Sequence, residues 1–563
     1  MVENRFEGVN SVVRITVEEK TDAFAKGTQL LKVLERLMPA ERVQWVLCAL
    51  DGGECIELNA PIVHDCVLVP QTYSDEEGRR VYERSLRFLF LLSMKRLYPE
   101  KQVRMLNSIG YGLYVRIPDE DMGHDKARAV EQDMRKLVEQ DLPFQREIWS
   151  REDAIAYFEK VGWHDKTELL RYRPQEKITM YRMGGLCEYF YGAMLPSSGY
   201  LKAFAIKPHF PGMVLLAPAP SAPEVAAPYQ SRSKFLRAFA ASQKWCGILG
   251  AQNAADVNRM IKEKRMREFI RVNEALQDKS IANIADDIMA RGARIVMIFG
   301  PSSSGKTTFA NRLSVHLSVL GKKPKLVSLD DFYRDRKDIP LEADGKPDLE
   351  NVDALDVQLL TECLEGLLSG RTVRMPRFDF NTGSRSAKGY DMSLTGNEPL
   401  LLEGIHGMNE RITSEIPEQL MFGIYVSALG CINLDDHNRI RTTDVRLLRR
   451  IVRDMRFRNT SPAETIDMWP KVRAGEEKWI FPNQEKADVM FNTSLHYELP
   501  VLKTMAYELL LSIPKSAPEY LVAHRLLKVL HYFLPVDGSV MDEIPPLSIL
   551  REFIGECSFY DMH

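Results

Sequence analysis

RIVMIFGPSSSGKTTFANRL, Arg294 to Leu313, is the stretch from which the rest of the chain is read. Ile295 to Phe299 is an unbroken apolar run and predicts a buried strand, while the spacing from Lys306 onward predicts an amphipathic helix. Between them, Gly300-Pro-Ser-Ser-Ser-Gly305-Lys306-Thr307 fits G-x-x-x-x-G-K-[ST] at every fixed position. Such a loop turns successive backbone N–H groups inward on a triphosphate. The residues expected to line it are Gly300, Ser302, Ser303, Ser304, Gly305, Lys306, Thr307 and Thr308. Lys306 is expected to reach the outer phosphates and Thr307 to offer a hydroxyl to Mg²⁺. The helix behind the loop adds a partial positive charge. A plain Gly/Ser-rich turn is the competing reading, and a strand before and a helix after weigh against it.

The chain has 563 residues, enough for three or four domains. Hydrophobic residues make up 45% and charged residues 27%, ordinary values for a soluble globular protein. The formal net charge of −3 leaves no global positive field to draw in nucleic acid or an anionic membrane, so any phosphate-binding surface must be local. The eight cysteines, Cys431 among them, are scattered with no C-x-x-C pair, which fits a reducing compartment better than a disulfide framework or a zinc site. The first ten residues, MVENRFEGVN, are polar and lack a signal-peptide core, and no apolar run approaches a bilayer's thickness. A cytoplasmic location is the expectation.

Five segments are expected along the chain. Residues 1–72 read as a small β-rich module, with strands at VVRITV, VQWVLCAL and DCVLVP and a helix at TQLLKVLERL. Residues 73–225 read as α+β, with a long helix closed by Pro99, a strand at SIGYGLYVRI, helices at Asp125–Glu139 and Arg151–Val161, and a linker at APAPSAPEVAAP. Residues 226–292 read as a helical linker, and NRMIKEKRMREFIRVNEAL within it as a basic helix, either solvated or RNA-contacting. Residues 293–515 alternate strands and helices, as a parallel doubly wound sheet requires. Residues 516–563 read as a helical tail packed back on that domain.

GRRVYERSLRFLFLLSMKRLYPE and SIGYGLYVRI resemble the N-terminal region of threonyl-tRNA synthetases, a ubiquitin-like (β-grasp) module followed by an editing domain. That family's editing site uses H-x-x-x-H on this helix and a later C-x-x-x-H. Here the four places hold Arg84, Phe88, Cys187 and Tyr191. With three of four ligand types absent, the resemblance implies a scaffold without metal-assisted deacylation, one that docks RNA, another subunit or the domain that follows.

Two further runs flank the P-loop. In KPKLVSLDDFY, Leu326–Leu329 reads as a short buried strand with Asp330 and Asp331 emerging at its C-terminal end, and PLLLEGIHG reads as a strand ending at Glu403. Ligands of open α/β sheets bind at the carboxyl ends of strands, so these carboxylates face the phosphates. A hydroxyl acceptor needs such a group to take its proton as the γ-phosphoryl transfers. In TTDVRLLRRIVRDMRFR, Arg446, Arg449, Arg450 and Arg453 fall on one helical face, a stripe that repels itself unless anions neutralise it. Nucleotide phosphates are the expected anions; a solvated face or an acidic partner is the alternative.

Together GPSSSGKTT, SLDDFY, LLEG, LLRRIVRD and EEKWIFPNQEKADVMF resemble the uridine–cytidine kinase and phosphoribulokinase branch of P-loop kinases, over nearly all of residues 294–494. The full arrangement looks like the long bacterial proteins described as nucleoside kinases. The resemblance implies a catalytic set of Asp330, Lys306, Arg449 and Arg453, with the arginines on a mobile lid, and Mg²⁺ held by Thr307 and Glu403. It implies an acceptor set of Asp331, Tyr333, Glu350, Asp353, Phe378, Arg385 and Arg450, with LENVDALD as the ribose-reading segment. One departure stands out. The family's Y-D-F-x-x-H-S-R is here Phe378-Asp-Phe380-Asn-Thr-Gly383-Ser-Arg385, so two base-reading hydrogen-bonding groups are gone and Gly383 is expected to leave room for a larger base.

The leading expectation is an ATP- and Mg²⁺-dependent kinase of a nucleoside 5′-hydroxyl. The alternatives are an RNA-associated kinase or switch, a kinase of another alcohol such as a sugar phosphate, and a nucleotide-gated interaction protein. Expected partners are the acceptor, RNA through the N-terminal half and a second copy of the chain; no membrane is expected.

Overall fold

Ile295–Phe299 (β1) is the middle strand of a five-stranded, all-parallel sheet. Its companions are Lys325–Ser328 (β2), Leu400–Glu403 (β3), Met421–Ser427 (β4) and Val489–Asn492 (β5), in the order β2-β3-β1-β4-β5. Every β1 side chain is buried, which is why the strand reads as a continuous apolar run rather than an alternating one. The chain leaves β1 through Lys306–Val319 (α1) and crosses to β2, later inserts β3 into the gap, and then adds β4 on the other side of β1. The strand order therefore reverses beside β1, where open α/β sheets place their ligands. Register fixes the details: Glu403 of β3 stands opposite both Ser328 of β2 and Ile298 of β1, so all three reach the same edge.

The structure is a computed structural model that describes residues 12–559 apart from 119, 343, 344, 346, 380, 381, 397, 415 and 431. The polar N-terminal stretch, Phe380 and Cys431 thus lie outside the described residues. Two compact units are present. One gathers residues 12–231, 433–439 and 512–532; the other gathers 232–432, 440–511 and 533–559.

The first unit begins with a five-stranded sheet of Lys20–Ala25, Val12–Val17, Cys66–Thr72, Val46–Asp51 and Glu54–Glu57, in that order. The helix Leu30–Leu37 turns Leu30, Val33, Leu34 and Leu37 inward, the i, i+3, i+4, i+7 pattern of one buried face. The long helix Glu76–Leu97 forms the centre of the larger core with Phe88, Leu89, Phe90 and Leu92. Arg84 donates to the Ala193 carbonyl oxygen, and the Phe88 ring packs edge-on to Phe144 at 5.4 Å. Cys187 is buried, and burial pushes its thiol up to about 11.

Three expectations are corrected in this unit. SIGYGLYVRI is not one strand but the turn of a hairpin, Arg104–Ile109 paired with Gly112–Arg116, because Gly110 takes a left-handed φ of 57°. APAPSAPEVAAP is not a linker: Pro218–Ala219 and Ala222–Ala226 pair as a small hairpin. The tail does not pack as one piece, since 512–532 belongs to the first unit and 533–559 to the second.

The expected linker over 226–292 is also corrected. It folds as the helices Ser233–Leu249, Ala254–Lys262 and Met266–Arg291, which belong to the same compact unit as the parallel sheet. The supposed basic helix breaks at Lys264, which has a φ of 58°. Two of its arginines are paired: Arg265 with Glu263 at 3.2 Å and Arg271 with the distant Glu543 at 2.8 Å. Among the described residues, no helix is long and apolar enough to cross a membrane.

Candidate active site

The P-loop follows β1 directly. Ser303 takes a left-handed φ of 57° and Gly305 one of 85°, so the backbone curls before α1 begins at Lys306. Ser303 and Ser304 are buried, and among the described residues neither hydroxyl meets a hydrogen-bond partner. Buried polar atoms without partners are costly unless something satisfies them, and phosphate oxygens would do so here. Lys306 is half-buried and donates to the Pro301 carbonyl oxygen at 3.1 Å, folded back over the loop. These features fit a bound triphosphate.

The loop is braced by residues remote in sequence. Ser302 N–H donates to Glu476 at 3.2 Å, and Arg446 donates to the Ser302 carbonyl oxygen at 3.0 Å. Arg446 and Glu476 are themselves a buried ion pair, with a second contact of 2.8 Å and Arg473 adding a third at 2.6 Å. Burial opposes the Glu476 charge, but Arg446 and Arg473 hold its carboxyl below the ordinary range. On the other side, Thr493 donates to the Ser304 carbonyl oxygen at 2.6 Å.

The helix Thr442–Phe457 (α2) carries the arginine stripe, and its neutralisation corrects the expectation. Internal carboxylates do the work assigned to ligand phosphates. Arg449 is fully buried on Glu498 at 2.6 Å, with Thr493 accepting from it at 3.2 Å through its hydroxyl and 2.9 Å through its carbonyl oxygen. It positions the loop through Thr493, and its assignment as a catalytic group on a mobile lid is withdrawn. Arg453 pairs with Asp454 at 2.7 Å. Arg450 shares Asp454 at 3.1 Å yet also donates to Ser302 Oγ at 3.0 Å, so it is the expected acceptor-side arginine that the structure brings to the P-loop.

At the carboxyl edge of the sheet, Thr307 Oγ1 stands 3.5 Å from Glu403 Oε1, and Ser328 donates to that same oxygen at 3.0 Å. Burial, with Asp330 close by, pushes Glu403 up to about 7. Asp330 follows β2 in a short turn begun by Ser328, whose hydroxyl accepts from its N–H at 3.3 Å. Burial also raises Asp330, partly offset by Lys306 and Arg458. A hydroxyl and carboxylate oxygens in one corner are the hard donors Mg²⁺ takes beside a phosphate, so Thr307 and Glu403 fit that ion.

The acceptor expectations divide. Glu350 lies against Gly475, where an added Cβ would stand 2.4 Å from the Glu350 Cβ; burial, then Glu476, pushes its carboxyl up to about 7. Tyr333 donates to the Leu349 carbonyl oxygen at 2.9 Å and packs its ring 5.6 Å from Phe378. Asp331 accepts from Phe378 N–H at 3.3 Å. Arg385, assigned to the acceptor, instead braces the turn, donating to the Tyr333 carbonyl oxygen at 3.0 Å and Asp356 at 2.9 Å. Asp353 is exposed and paired with Arg411, so its ribose-reading assignment is withdrawn. Gly383 does not leave open room: its φ is 66° and an added Cβ would meet Arg336 Cδ at 2.4 Å. Sequence reasoning missed Glu476, Thr493, Glu498, Ser328 and Arg336. Ser328 and Glu476 lie inside SLDDFY and EEKWIF, two of the motifs quoted above, and the other three carried no signal.

Residues 295–498 match the family described as "Phosphoribulokinase / Uridine kinase family". The C-terminal region accordingly has a P-loop kinase fold. The N-terminal half is similar to threonine–tRNA ligases: that of Carboxydothermus hydrogenoformans is 32% identical over 185 residues, and that of Halorhodospira halophila 35% over 156. These alignments take in 32% and 27% of this chain but only 29% and 24% of the ligases, so the chain spans under a third of their length. Among solved structures, "a Possible Uridine Kinase from Bacillus stearothermophilus" matches 38% of this chain and 97% of its own, with 20% identity and a TM-score of 0.27. "D-glycerate 3-kinase from Cryptococcus neoformans" matches 47% and 89%, with 15% identity and a TM-score of 0.22.

Proposed function

We propose that the C-terminal region is an ATP- and Mg²⁺-dependent kinase that transfers the γ-phosphoryl group to the hydroxyl of a small molecule, a nucleoside 5′-hydroxyl being the leading acceptor. The observation that carries this is the register of β2 and β3, which sets Ser328 and Glu403 side by side, with Asp330 just beyond and Thr307 within 3.5 Å of Glu403. In the proposed reaction the acceptor oxygen attacks the γ-phosphorus, its proton passes to Asp330, and the bond to the β-phosphate oxygen breaks to release ADP. The burial that raises Asp330 makes it a better base than an exposed aspartate. Lys306 lies beside Asp330 and offers positive charge to the transferring group. Mg²⁺, held by Thr307 and Glu403, would supply charge neutralisation on the phosphate oxygens.

On the acceptor side, the half-buried Glu350 carboxyl is the group suited to a ribose hydroxyl, and the Tyr333–Phe378 pair offers an apolar face to a base. Gly383 stands where the resembled family carries a pyrimidine-reading imidazole, and the Arg336 side chain lies over it instead, so the acceptor's base is left to the panel below. The test is ATP and Mg²⁺ with a panel of nucleosides, sugar phosphates and hydroxy acids, read by mass for the phosphorylated product. A nucleoside monophosphate is expected. Product only from another alcohol overturns the nucleoside reading, and no product from any acceptor by folded, ATP-binding protein overturns the kinase reading.

A further inference from the structure

Thr308, the last P-loop residue, is already occupied. Its backbone N–H donates to Glu552 Oε2 at 3.2 Å and its hydroxyl to the same oxygen at 2.8 Å. Glu552 belongs to the C-terminal segment, on a single turn of helix, Arg551–Ile554. That segment is well held. Ser548 donates to Glu274 at 2.7 Å, and Arg551 donates to the Ile544 and Met541 carbonyl oxygens at 2.8 and 3.0 Å. The buried Phe553 ring lies 5.1 Å from the Arg449 guanidinium carbon, and Ile549 Cγ2 stands 2.5 Å from where a Cβ on Gly305 would be. The carboxylate reaches further: Glu552 is one of the charges that push Glu403 up.

The start of α1 is where a phosphate is expected, because the first N–H groups of a helix point out of its end and the helix dipole favours an anion there. In this loop type the backbone N–H groups cradle the α- and β-phosphates. A carboxylate on the Thr308 donors and a phosphate on the same donors exclude each other, by hydrogen-bond count and by charge. We propose that the Ser548–Gly555 segment is an autoinhibitory element, in which Glu552 stands in for a nucleotide phosphate and must leave Thr308 before the triphosphate seats. The inference rests on the P-loop being the nucleotide site. It makes Ser548–Gly555 the place where nucleotide affinity is set, since anything that draws the segment away frees the α1 N-terminus.

The test compares wild-type protein, Glu552→Gln and Lys306→Ala by calorimetric titration with Mg²⁺·ADP, with hydrogen exchange of a peptide covering residues 548–556. Glu552→Gln keeps the size of the side chain and removes its charge. It is expected to bind ADP roughly fivefold to tenfold tighter than wild type, and ADP is expected to speed exchange of 548–556 in the wild-type protein. Affinity in Glu552→Gln equal to or weaker than wild type, with Lys306→Ala still impaired, would overturn the inference while leaving the nucleotide site standing. Absence of binding by wild type and Glu552→Gln alike would overturn both. A chain ending at residue 547 gives a second reading if it stays folded by circular dichroism: it too is expected to bind more tightly, and weaker binding would count against the proposal.

Discussion

Replacing Glu476 by Gln probes the brace that shapes the P-loop. The carboxylate accepts from both Arg446 terminal nitrogens, from Arg473 and from Ser302 N–H, and neither it nor Arg446 has meaningful contact with solvent. A Gln offers one acceptor where two oxygens stood and leaves the Arg446 charge buried without a counter-ion. Breaking such a pair costs about 3–5 kcal/mol, a large share of the ~5–15 kcal/mol that holds a domain together. The sign with pH follows from the depressed Glu476 carboxyl. Its contribution is complete above the unfolded Glu range, near ~4.3, and disappears as pH falls through the lower folded value. The assay is native-state hydrogen exchange of a peptide covering residues 294–313. At neutral pH the opening free energy is expected to drop by about 3 kcal/mol, roughly a hundredfold faster exchange, and the gap to wild type is expected to close in acid. The double change Arg446→Met with Glu476→Leu removes both charges and is expected to recover much of the loss. A single Glu476→Gln variant within ~0.5 kcal/mol of wild type would refute the brace, since that is the range of ordinary surface changes.

Asp330→Asn keeps the shape of the turn and removes the base, so kcat is expected to fall by ~10²–10⁴ while ADP affinity stays within a few-fold; a rate within a few-fold of wild type would rule out that role. In the first unit, Lys166 is completely buried between Asp435 at 2.8 Å and Glu188 at 3.1 Å. Lys166→Met removes the cation these carboxylates share, leaving Glu188 to His437 and Asp435 to Tyr189 and Asn438, and is expected to cost about 3–5 kcal/mol in urea unfolding of that unit, with a loss under ~1 kcal/mol counting against it. Burial holds His496 down to about 4, so it resists protonation when folded but not when unfolded. Its contribution is complete above ~6.5 and is lost as pH falls from there toward 4, by roughly 3 kcal/mol at most. Urea melts of wild type and His496→Gln across this range isolate it: wild type is expected to weaken relative to the variant, and parallel curves would refute the shift.

Much of the sheet is readable in the primary structure because parallel strands buried on both faces are uninterrupted apolar runs, and IVMIF and LLLE stand out for that reason. Mixed segments are harder. IGYG turns at Gly110 because glycine tolerates the required φ, yet the flanking residues suit a single strand equally well. The arginines of α2 show the deeper difficulty. Their spacing on one face is legible from helical periodicity, but which anion meets each one depends on Glu476, Glu498 and Asp454, two of them more than 25 residues away from their partners.

Local composition dictates that Gly300–Thr307 follows a buried strand and opens a helix. It also placed Asp330 and Glu403 at strand ends, since apolar runs stop where a charge begins. What surrounds them depends on how distant segments pack. Strand order brings β2 and β3 together, so Glu403 meets Ser328 and Thr307. Chain folding carries Glu552, 244 residues onward, onto the donors of Thr308. Such pairings join residues whose separation along the chain carries no local signal, and in a low-dielectric interior the nearest counter-charge, not the pattern, sets what each group does.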